Sequence, residues 1–298
     1  MDAAPPSTDA PRWSPWERLP LAHRFTDASL RETLDGGQAF RWRSTTEGAW
    51  RGIFGPHAVE LRLAPGAELE FRAATTPGAA RTALLDYLGQ AAALDQWLER
   101  LPLRSDPVLA TAVAACPGLI LLRQPFPETL LAFILSSTKQ IPQIRQLCEN
   151  LARRFGRTLA PGLHALPTWP ELAGVPETEL RACRLGFRAR YVRECAEFLA
   201  ARPGWLEEVE HAPYAQARDS LCQLSGVGEK IADCALLFGA GRLEAFPVDV
   251  WILRALANRY GLADWQPAQV ARFGRVHFGA GAGLAQQYLF AHERSRRR

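Results

Sequence analysis

The spacing of apolar residues changes once along the chain, and this change constrains the fold more than any other feature. Between residues 36 and 72, apolar and polar residues alternate in segments such as AWRGIFG and HAVELRL. Such alternation is typical of strands in an antiparallel sheet. From about residue 80 onward, apolar residues recur every three or four positions, which is typical of amphipathic helices. The sequence therefore predicts an α+β fold, with an N-terminal antiparallel β-sheet domain followed by a mostly helical domain.

The same patterns and the breakers between them predict the domain limits. We expect a flexible N-terminal arm at 1–20, a sheet-containing domain at 21–105 and a helical domain at 106–298. GQAFRWR, at 37–43, alternates and is predicted to be a strand of the sheet. The predicted helices of the second domain are 106–121, 126–137, 141–156, 189–201, 214–222, 229–239, 249–260, 267–278 and 281–294.

Composition excludes several classes of protein. The 298 residues are 48% apolar and 22% charged, which fits a globular protein and not a disordered chain. The six cysteines form no CxxC pair and none follows Cys234, which argues against an iron–sulfur cluster, a zinc ribbon or a disulfide framework. No signal peptide or membrane span is predicted, so we expect a cytoplasmic protein that does not bind membranes. The net charge of +4 is compatible with nucleic-acid binding.

Lysine is rare in this chain, which makes each lysine a candidate functional residue. Of the 35 basic residues, only Lys139 and Lys230 are lysines. Lysine can lose its proton and act as a nucleophile, whereas arginine stays charged. The arginine bias also has a plain explanation in codon composition, so the count alone does not establish a role.

LSGVGEK, at 224–230, reads as a tight turn between two helices. Gly226 and Gly228 permit positive φ angles and close backbone approach, and Val227 between them is expected to point into the core. The N–H groups of such a hairpin, beside a helix N-terminus, form a seat for a phosphate. An ordinary helix–helix turn is the alternative, but the longer pattern LxGVGxKxAxxxL is much more specific.

Two side chains near this hairpin could carry chemistry. Lys230 begins the second helix, where the positive end of the helix dipole disfavours a cation and so favours the neutral, nucleophilic amine. Asp249, in FPVDV, precedes the next predicted helix and fits an N-cap. It also fits a carboxylate that stabilises a developing oxocarbenium ion, as glycoside cleavage requires. Both roles are compatible.

The order of motifs along the chain resembles a known family. DGGQAFRWR, FILSSTKQIPQIRQLCENLARRFG, LRACRLGFRARYV, LSGVGEKIADC, FPVDV and LAQQYLF follow one another as in the helix–hairpin–helix (HhH-GPD) DNA glycosylases. Within that superfamily the chain is most similar to the 8-oxoguanine DNA glycosylase/AP lyases, from about residue 15 onward. The resemblance implies excision of 8-oxoguanine from double-stranded DNA by a monomer, with no required cofactor.

The resemblance assigns catalysis to Lys230 and Asp249. Lys230 would attack the anomeric carbon of a flipped-out nucleotide, expel the base and form a Schiff base, after which β-elimination nicks the strand. Asp249 would be the catalytic carboxylate.

The resemblance also assigns a base pocket. The carbonyl of Gly37 would accept the N–H that oxidation adds to guanine, where the lone pair of normal guanine would be repelled. Cys234 and Phe290 would sandwich the base, Gln286 would pair with its Watson–Crick edge, and Pro247 would line the same pocket. Helical spacing agrees, because Lys230 and Cys234 are four residues apart, as are Gln286 and Phe290.

Contacts to DNA are implied at several further positions. Phe187 would insert into the duplex as a wedge, Arg188 would contact the opposite strand or its phosphates, and Gly226, Val227 and Gly228 would seat a phosphate. Lys139 is a further DNA-contact candidate. The carbonyls of Cys222, Leu224 and Val227 would be the ligands of a candidate monovalent or divalent cation in the hairpin.

The chain departs from the family pattern at two places. Thr138, Lys139 and Gln140 stand where the family usually has an asparagine run that contacts the orphaned cytosine, so the opposite-base preference stays open. Trp251 stands where the family often has a histidine near the phosphate. Neither change touches the nucleophile.

Two alternatives stay open from sequence. One is a glycosylase of the same fold for another damaged base, alkylated or ring-opened. Alkylated-base enzymes typically lack the hairpin lysine, so Lys230 argues against that reading. The other is a non-catalytic helix–hairpin–helix DNA-binding module, which would need neither Lys230 nor Asp249.

Overall fold

The computed structural model describes residues 10–89 and 93–296 of the chain. Its N-terminal part contains a five-stranded antiparallel sheet with the strand order β1-β5-β4-β3-β2. The strands are β1 (Glu17–Arg18), β2 (Trp42–Ser44), β3 (Trp50–Phe54), β4 (His57–Leu63) and β5 (Leu69–Ala73). The remainder is mostly helical, which confirms the predicted α+β class.

The helices follow the sheet in chain order, apart from α1, which precedes β2. They are α1 (Asp27–Asp35), α2 (Pro77–Tyr87), α3 (Leu94–Arg100), α4 (Pro107–Ala115), α5 (Phe126–Leu135), α6 (Ile141–Phe155), α7 (Trp169–Ala173), α8 (Glu177–Ala182), α9 (Arg188–Ala200), α10 (Trp205–His211), α11 (Tyr214–Leu221), α12 (Glu229–Phe238), α13 (Val250–Tyr260), α14 (Pro267–Phe278) and α15 (Ala282–Ser295). A short hairpin, β6 (Thr158–Ala160) and β7 (Leu163–His164), follows α6. Eight of the nine predicted helices end within two residues of the observed limits.

The predicted flexible arm is wrong for residues 10–20, while residues 1–9 lie outside the described residues. Glu17 pairs with Phe71 at the edge of the sheet, and Leu19 is buried. Trp16 is covered by two arginines of the sheet, with its ring centroid 4.1 Å from Arg62 Cζ and 4.6 Å from Arg72 Cζ. Cation–π contacts and strand pairing therefore hold this segment against the sheet.

The remaining predicted helix, at 106–121, is too long, because α4 ends at Ala115. Pro117 disfavours helical geometry in the residue before it, and Gly118 adopts a φ of +82°. The following segment, 119–122, is irregular and fully buried. Its apolar residues produced the helical pattern, but they pack on both sides of the chain.

The predicted strand at 37–43 is also largely wrong, since only its last two residues belong to β2. Gly37 has a φ of +95°, which breaks the extended conformation. The segment from Gly37 to Arg41 is instead a loop between α1 and the sheet.

The long helices pack against one another. Helix α5 packs along α12, and α15 packs against α4, α13 and α14. Phe133 of α5 stacks on Phe238 of α12 with ring centroids 5.6 Å apart. The helices described here are all too short or too polar to cross a membrane.

Candidate active site

A cleft of about 790 Å³ opens where α5, α12, the start of α13, α15 and the 37–41 loop meet. Eight of the residues predicted to act in catalysis or binding line it: Gly37, Lys139, Lys230, Cys234, Pro247, Asp249, Gln286 and Phe290. They come from five separate parts of the chain, so their convergence is a property of the fold.

Lys230 lies in the first turn of α12 and points its amine into the cleft. Its Nζ donates a hydrogen bond to Ser136 Oγ at 3.3 Å and lies 5.4 Å from the centroid of the Phe133 ring. The side chain is half-buried, and it has no acidic partner within 4 Å in the described parts of the chain. An amine in this setting is accessible to a reacting carbon while its position is restrained.

The hairpin that begins α12 adopts the predicted tight turn. Gly226 has a φ of +74°, and a Cβ atom there would lie 2.4 Å from the Tyr191 ring, so only glycine fits. Val227 is buried, as expected. Gly228 is the N-cap of α12, with no side-chain cap and with open space around it. The first amides of α12 are therefore free to bind an anion.

The hairpin lies beside the cleft and does not line it. In this turn the carbonyl of Leu224 accepts a hydrogen bond from the N–H of Val227 at 3.1 Å. The cation proposed for the carbonyls of Cys222, Leu224 and Val227 stays a prediction. Among the side chains described, no group of three or more His, Cys, Asp or Glu is placed to hold a metal ion.

Asp249 is the N-cap of α13, as its position predicted. Its Oδ1 accepts hydrogen bonds from the N–H of Trp251 at 3.0 Å and of Ile252 at 2.9 Å. Burial raises the pKa of this carboxyl above the usual range of aspartate, while the two amide bonds and the charge of Lys230 oppose that shift. The cap fixes one oxygen and leaves the carboxylate facing the cleft that Lys230 also lines.

Apolar and polar side chains both line the cleft, and two buried glutamines there, Gln286 and Gln287, each have an amide atom without a partner among the described residues. Burial raises the pKa of the Cys234 thiol to about 12, so its sulfur is neutral at physiological pH. A Cβ atom on Gly37 would lie 3.6 Å from the Phe290 ring and would fill the edge of the cleft. Gln286 is buried, and its Oε1 has no hydrogen-bond partner among the described residues. A buried acceptor of this kind is satisfied when a ligand donates to it.

Gln38 was not singled out from sequence, yet it fixes the loop that carries Gly37. Its side chain is buried and bonds to the backbone of Ile120 and Leu122, both at 2.9 Å. The side chain of Gln124 donates to the carbonyl of Gln38 at 2.7 Å. The sequence signal for Gln38 was its position, as a polar residue between Gly37 and the apolar pair Ala39 and Phe40.

Phe187 and Arg188 lie outside the cleft, at the start of α9. Phe187 is 48% exposed, which is unusual for a large apolar side chain. Arg188 is only 3% exposed, and its predicted contact with the opposite strand or its phosphates stays a prediction. Its guanidinium donates to the Ser137 carbonyl and to Thr138 Oγ1, and its Cζ lies 4.3 Å from the Phe187 ring centroid.

The mouth of the cleft carries positive charge that is only partly neutralised. Arg145 pairs with Asp35, and Arg294 pairs with Glu32 at 2.5 Å. Lys139 and Arg254 also line the cleft, and neither has an acidic partner within 4 Å in the described ranges 10–89 and 93–296. Arg254 and Ser136 are two polar cleft residues that sequence reasoning missed. Ser136 lies within a motif that was quoted for other residues, and Arg254 lies within the helix predicted at 249–260.

Comparison with known proteins agrees with this fold. The model of the HhH-GPD superfamily of base excision DNA repair proteins matches residues 131–276, and that of the 8-oxoguanine DNA glycosylase N-terminal domain matches residues 21–130. These matches define the class as HhH-GPD base excision DNA repair proteins. The predicted domain limits, 21–105 and 106–298, stay predictions.

Individual relatives extend the match to nearly the whole chain. The Arabidopsis thaliana N-glycosylase/DNA lyase OGG1 is 32% identical over 304 residues, covering 96% of this chain and 81% of the relative. The structure of MBOgg1 in complex with a low affinity DNA ligand is 32% identical with a TM-score of 0.83, covering 93% of this chain and 95% of that one.

The Clostridium acetobutylicum 8-oxoguanine glycosylase/lyase, in complex with double-stranded DNA containing cytosine opposite 8-oxoG, is 27% identical with a TM-score of 0.84. That match covers 96% of this chain and 99% of the other. The chain belongs to the family of OGG1-type N-glycosylase/DNA lyases.

Proposed function

We propose that this protein is a bifunctional DNA N-glycosylase and AP lyase that flips 8-oxoguanine out of duplex DNA, excises it and nicks the strand. The observation that carries the proposal is the convergence of Lys230, Asp249 and Gln286 on one cleft. A binding module has no need of a lysine and a carboxylate that line the same cleft. Membership of the N-glycosylase/DNA lyase family supports the same activity.

In the proposed reaction, Lys230 is the nucleophile. Its neutral amine attacks C1′ of the flipped nucleotide, the bond from C1′ to the base breaks, and the departing base takes up a proton. Asp249 stabilises the positive charge that develops on the sugar. Opening of the sugar gives a Schiff base between Nζ and C1′, and β-elimination then expels the 3′ phosphate. A lysine amine and a carboxylate suffice for these steps, so no cofactor is needed.

Selection of the base rests on polar groups that only the oxidised base satisfies. The N–H that oxidation adds to the five-membered ring would donate to the Gly37 carbonyl, where normal guanine presents a lone pair. The unpartnered Oε1 of Gln286 would accept from the Watson–Crick edge of the base. Neutral Cys234 and Phe290 would contact the two faces of the ring. An incorrect base leaves buried polar groups unpaired, which costs about 1–3 kcal/mol for each group.

Binding of double-stranded DNA is proposed for the surface around the cleft. The hairpin amides after Gly226 would hold a phosphate, and Lys139 would contact the backbone near the mouth of the cleft. Phe187 would fill the gap left by the flipped nucleotide. Since one chain supplies the whole pocket, we propose a monomer. We place it in the cytoplasm, with the DNA that it repairs.

The test is borohydride trapping on an end-labelled duplex with one 8-oxoguanine opposite cytosine, beside an undamaged duplex. Reduction of a Schiff base leaves a stable covalent adduct. We expect the adduct only on the damaged duplex and not with Lys230→Gln. Lys139→Gln removes the other lysine of the chain and should keep the adduct at saturating enzyme while binding DNA less tightly.

Other results would redirect the proposal. An alkali-labile site without an adduct would mean base removal without lysine chemistry. Neither product, on any opposite base, would exclude 8-oxoguanine. Alkylated and ring-opened purines would then be tested in the same assay, and a protein inactive on all of them would be a binding module.

A further inference from the structure

We propose that Ser136 is a positioning residue for Lys230, because its hydroxyl accepts a hydrogen bond from the amine and leaves the amine lone pair for the sugar. The proposal rests on the function proposed above and concerns how this chain orients its nucleophile. Ser136 is the C-cap of α5, the helix that packs along α12, and it lines the cleft.

The direction of the hydrogen bond follows from what Ser136 already donates. Its side chain is buried, and its Oγ lies 2.6 Å from the carbonyl oxygen of Phe133. A carbonyl can only accept, so the single hydroxyl proton of Ser136 is used there. Towards Lys230 Nζ, at 3.3 Å, the hydroxyl oxygen is therefore an acceptor.

This direction matters for the chemistry of the amine. A neutral lysine amine has two N–H groups and one lone pair. A hydroxyl that donated to Nζ would occupy the lone pair that must attack C1′. Ser136 instead takes one N–H, which restrains rotation about the end of the lysine side chain and keeps the lone pair available.

Aromatic packing of Phe133 holds the end of α5 in place, and with it the Ser136 hydroxyl that accepts from Lys230. The Phe133 ring meets Phe40 edge-on with centroids 5.2 Å apart and stacks on Phe238 at 5.6 Å. The same ring lies beneath Nζ, with its centroid 5.4 Å away. A shift of the end of α5 would disturb these contacts, so Ser136 Oγ is a fixed point for the amine.

A purely structural role is the competing explanation, because the same hydroxyl bonds within the last turn of α5. Ser136→Ala separates the two. We expect the adduct to form about tenfold more slowly under single-turnover conditions, the rate equivalent of one hydrogen bond. The Kd for the damaged duplex, and the melting temperature, should change little. Ser136→Thr keeps the hydroxyl and should restore most of the rate.

Trapping rates on a second substrate distinguish a positioning role of Ser136 from a structural one. On a duplex with a preformed abasic site, the same amine attacks C1′ with no base in the pocket. The ratio of wild-type to Ser136→Ala trapping rates should therefore be similar on both duplexes. Loss of pocket shape would slow only the reaction on 8-oxoguanine.

Ser295→Ala is the matched control. Ser295 ends α15 and donates to the carbonyl of His292, three residues earlier, at 2.9 Å, but it is exposed and outside the cleft. It should react at the wild-type rate. The proposal is overturned if Ser136→Ala traps as fast as wild type, if its loss is explained by weaker DNA binding, or if folded Ser136→Thr stays as slow as Ser136→Ala. No adduct with the wild-type protein would overturn the proposed function instead, and this inference with it.

Discussion

The side-chain amide of Gln38 makes the backbone hydrogen bonds around Leu122 that a neighbouring strand would otherwise make. Its Oε1 accepts the N–H of Leu122 and its Nε2 donates to the carbonyl of Ile120, both at 2.9 Å. The 119–122 segment is fully buried and irregular, so its polar backbone needs such a partner. Because Gly37 is the residue before Gln38, the same two bonds fix the edge of the cleft.

Gln38→Ala should destabilise the fold by about 3 kcal/mol, because it leaves a buried N–H and a buried C=O unpaired. Its DNA cleavage rate should also fall, since the Gly37 loop loses its anchor. The free energy of unfolding in urea measures the first effect. Gln216→Ala removes an exposed glutamine on α11 and should change stability by less than about 0.5 kcal/mol. Equal effects of the two changes would contradict the assigned role.

The parts of the site that could be predicted from sequence are those encoded locally. Lys230 and Cys234 share a helix face by their spacing, and Asp249 caps the helix that begins beside it. These relationships span a few residues, so the pattern alone fixes them. The glycines of the hairpin belong to the same group.

The parts that could not be predicted depend on contacts between distant residues. Gln38 meets its partners 82 and 84 positions along the chain. The 10–19 segment looked like an arm because its residues have no periodicity, yet Trp16 is held by arginines of the sheet. Ser136 faces Lys230 from 94 positions away. No local pattern reports such pairings.

Asp249→Asn should separate capping from catalysis. An asparagine oxygen can accept the same two amide bonds, so α13 stays capped and the contribution of the cap to stability is preserved. Excision should fall by orders of magnitude because the negative charge is lost. Asp249→Ala should lose both the helix cap and the catalytic carboxylate, and the missing cap should cost about 1 kcal/mol of stability. Unfolding curves and single-turnover rates test the pair, and full activity of the asparagine variant would contradict the catalytic role.

The stability difference between wild type and Asp249→Asn should depend on pH. Burial raises the pKa of Asp249 in the folded protein, whereas the unfolded chain titrates near the usual value of about 3.9. Between the two values the folded state binds more protons, so the contribution of Asp249 to stability falls as pH rises through the folded pKa. The asparagine variant lacks this loss. The melting temperature of the asparagine variant should therefore rise relative to that of wild type between pH 4 and neutrality. A difference in melting temperature that does not change with pH would contradict the raised pKa of Asp249.

Phe187→Ala should weaken excision from duplex DNA without affecting the fold. The ring is 48% exposed, so its removal costs little stability. A wedge offsets part of the cost of unstacking, which is a few kcal/mol, so we expect at least about a tenfold loss of rate on a damaged duplex. On a damaged single strand there is no stack to open, and the loss should disappear. Val276→Ala, at a position 76% exposed on α14, should behave as wild type on both.

Arg254 should supply the phosphate contact for which the family often uses a histidine at the position of Trp251. Trp251 and Arg254 are three residues apart on one face of α13, and Arg254 Cζ lies 5.5 Å from the Trp251 ring centroid. Within the described residues Arg254 has no acidic partner, and it lines the cleft. A guanidinium held on an aromatic face keeps its donors free for a phosphate.

Arg254→Ala should therefore weaken binding to damaged and undamaged duplexes alike. The slope of log K against log salt should become shallower by about one, because one fewer counterion is released. Arg272→Ala is the control: it removes an exposed arginine of α14 that lies outside the cleft and has no acidic partner in the part of the chain described. Its slope should match wild type. If Arg254→Ala changes affinity with an unchanged slope, Arg254 acts through packing on Trp251 and not through a phosphate, because only the release of counterions makes binding depend on salt in this way.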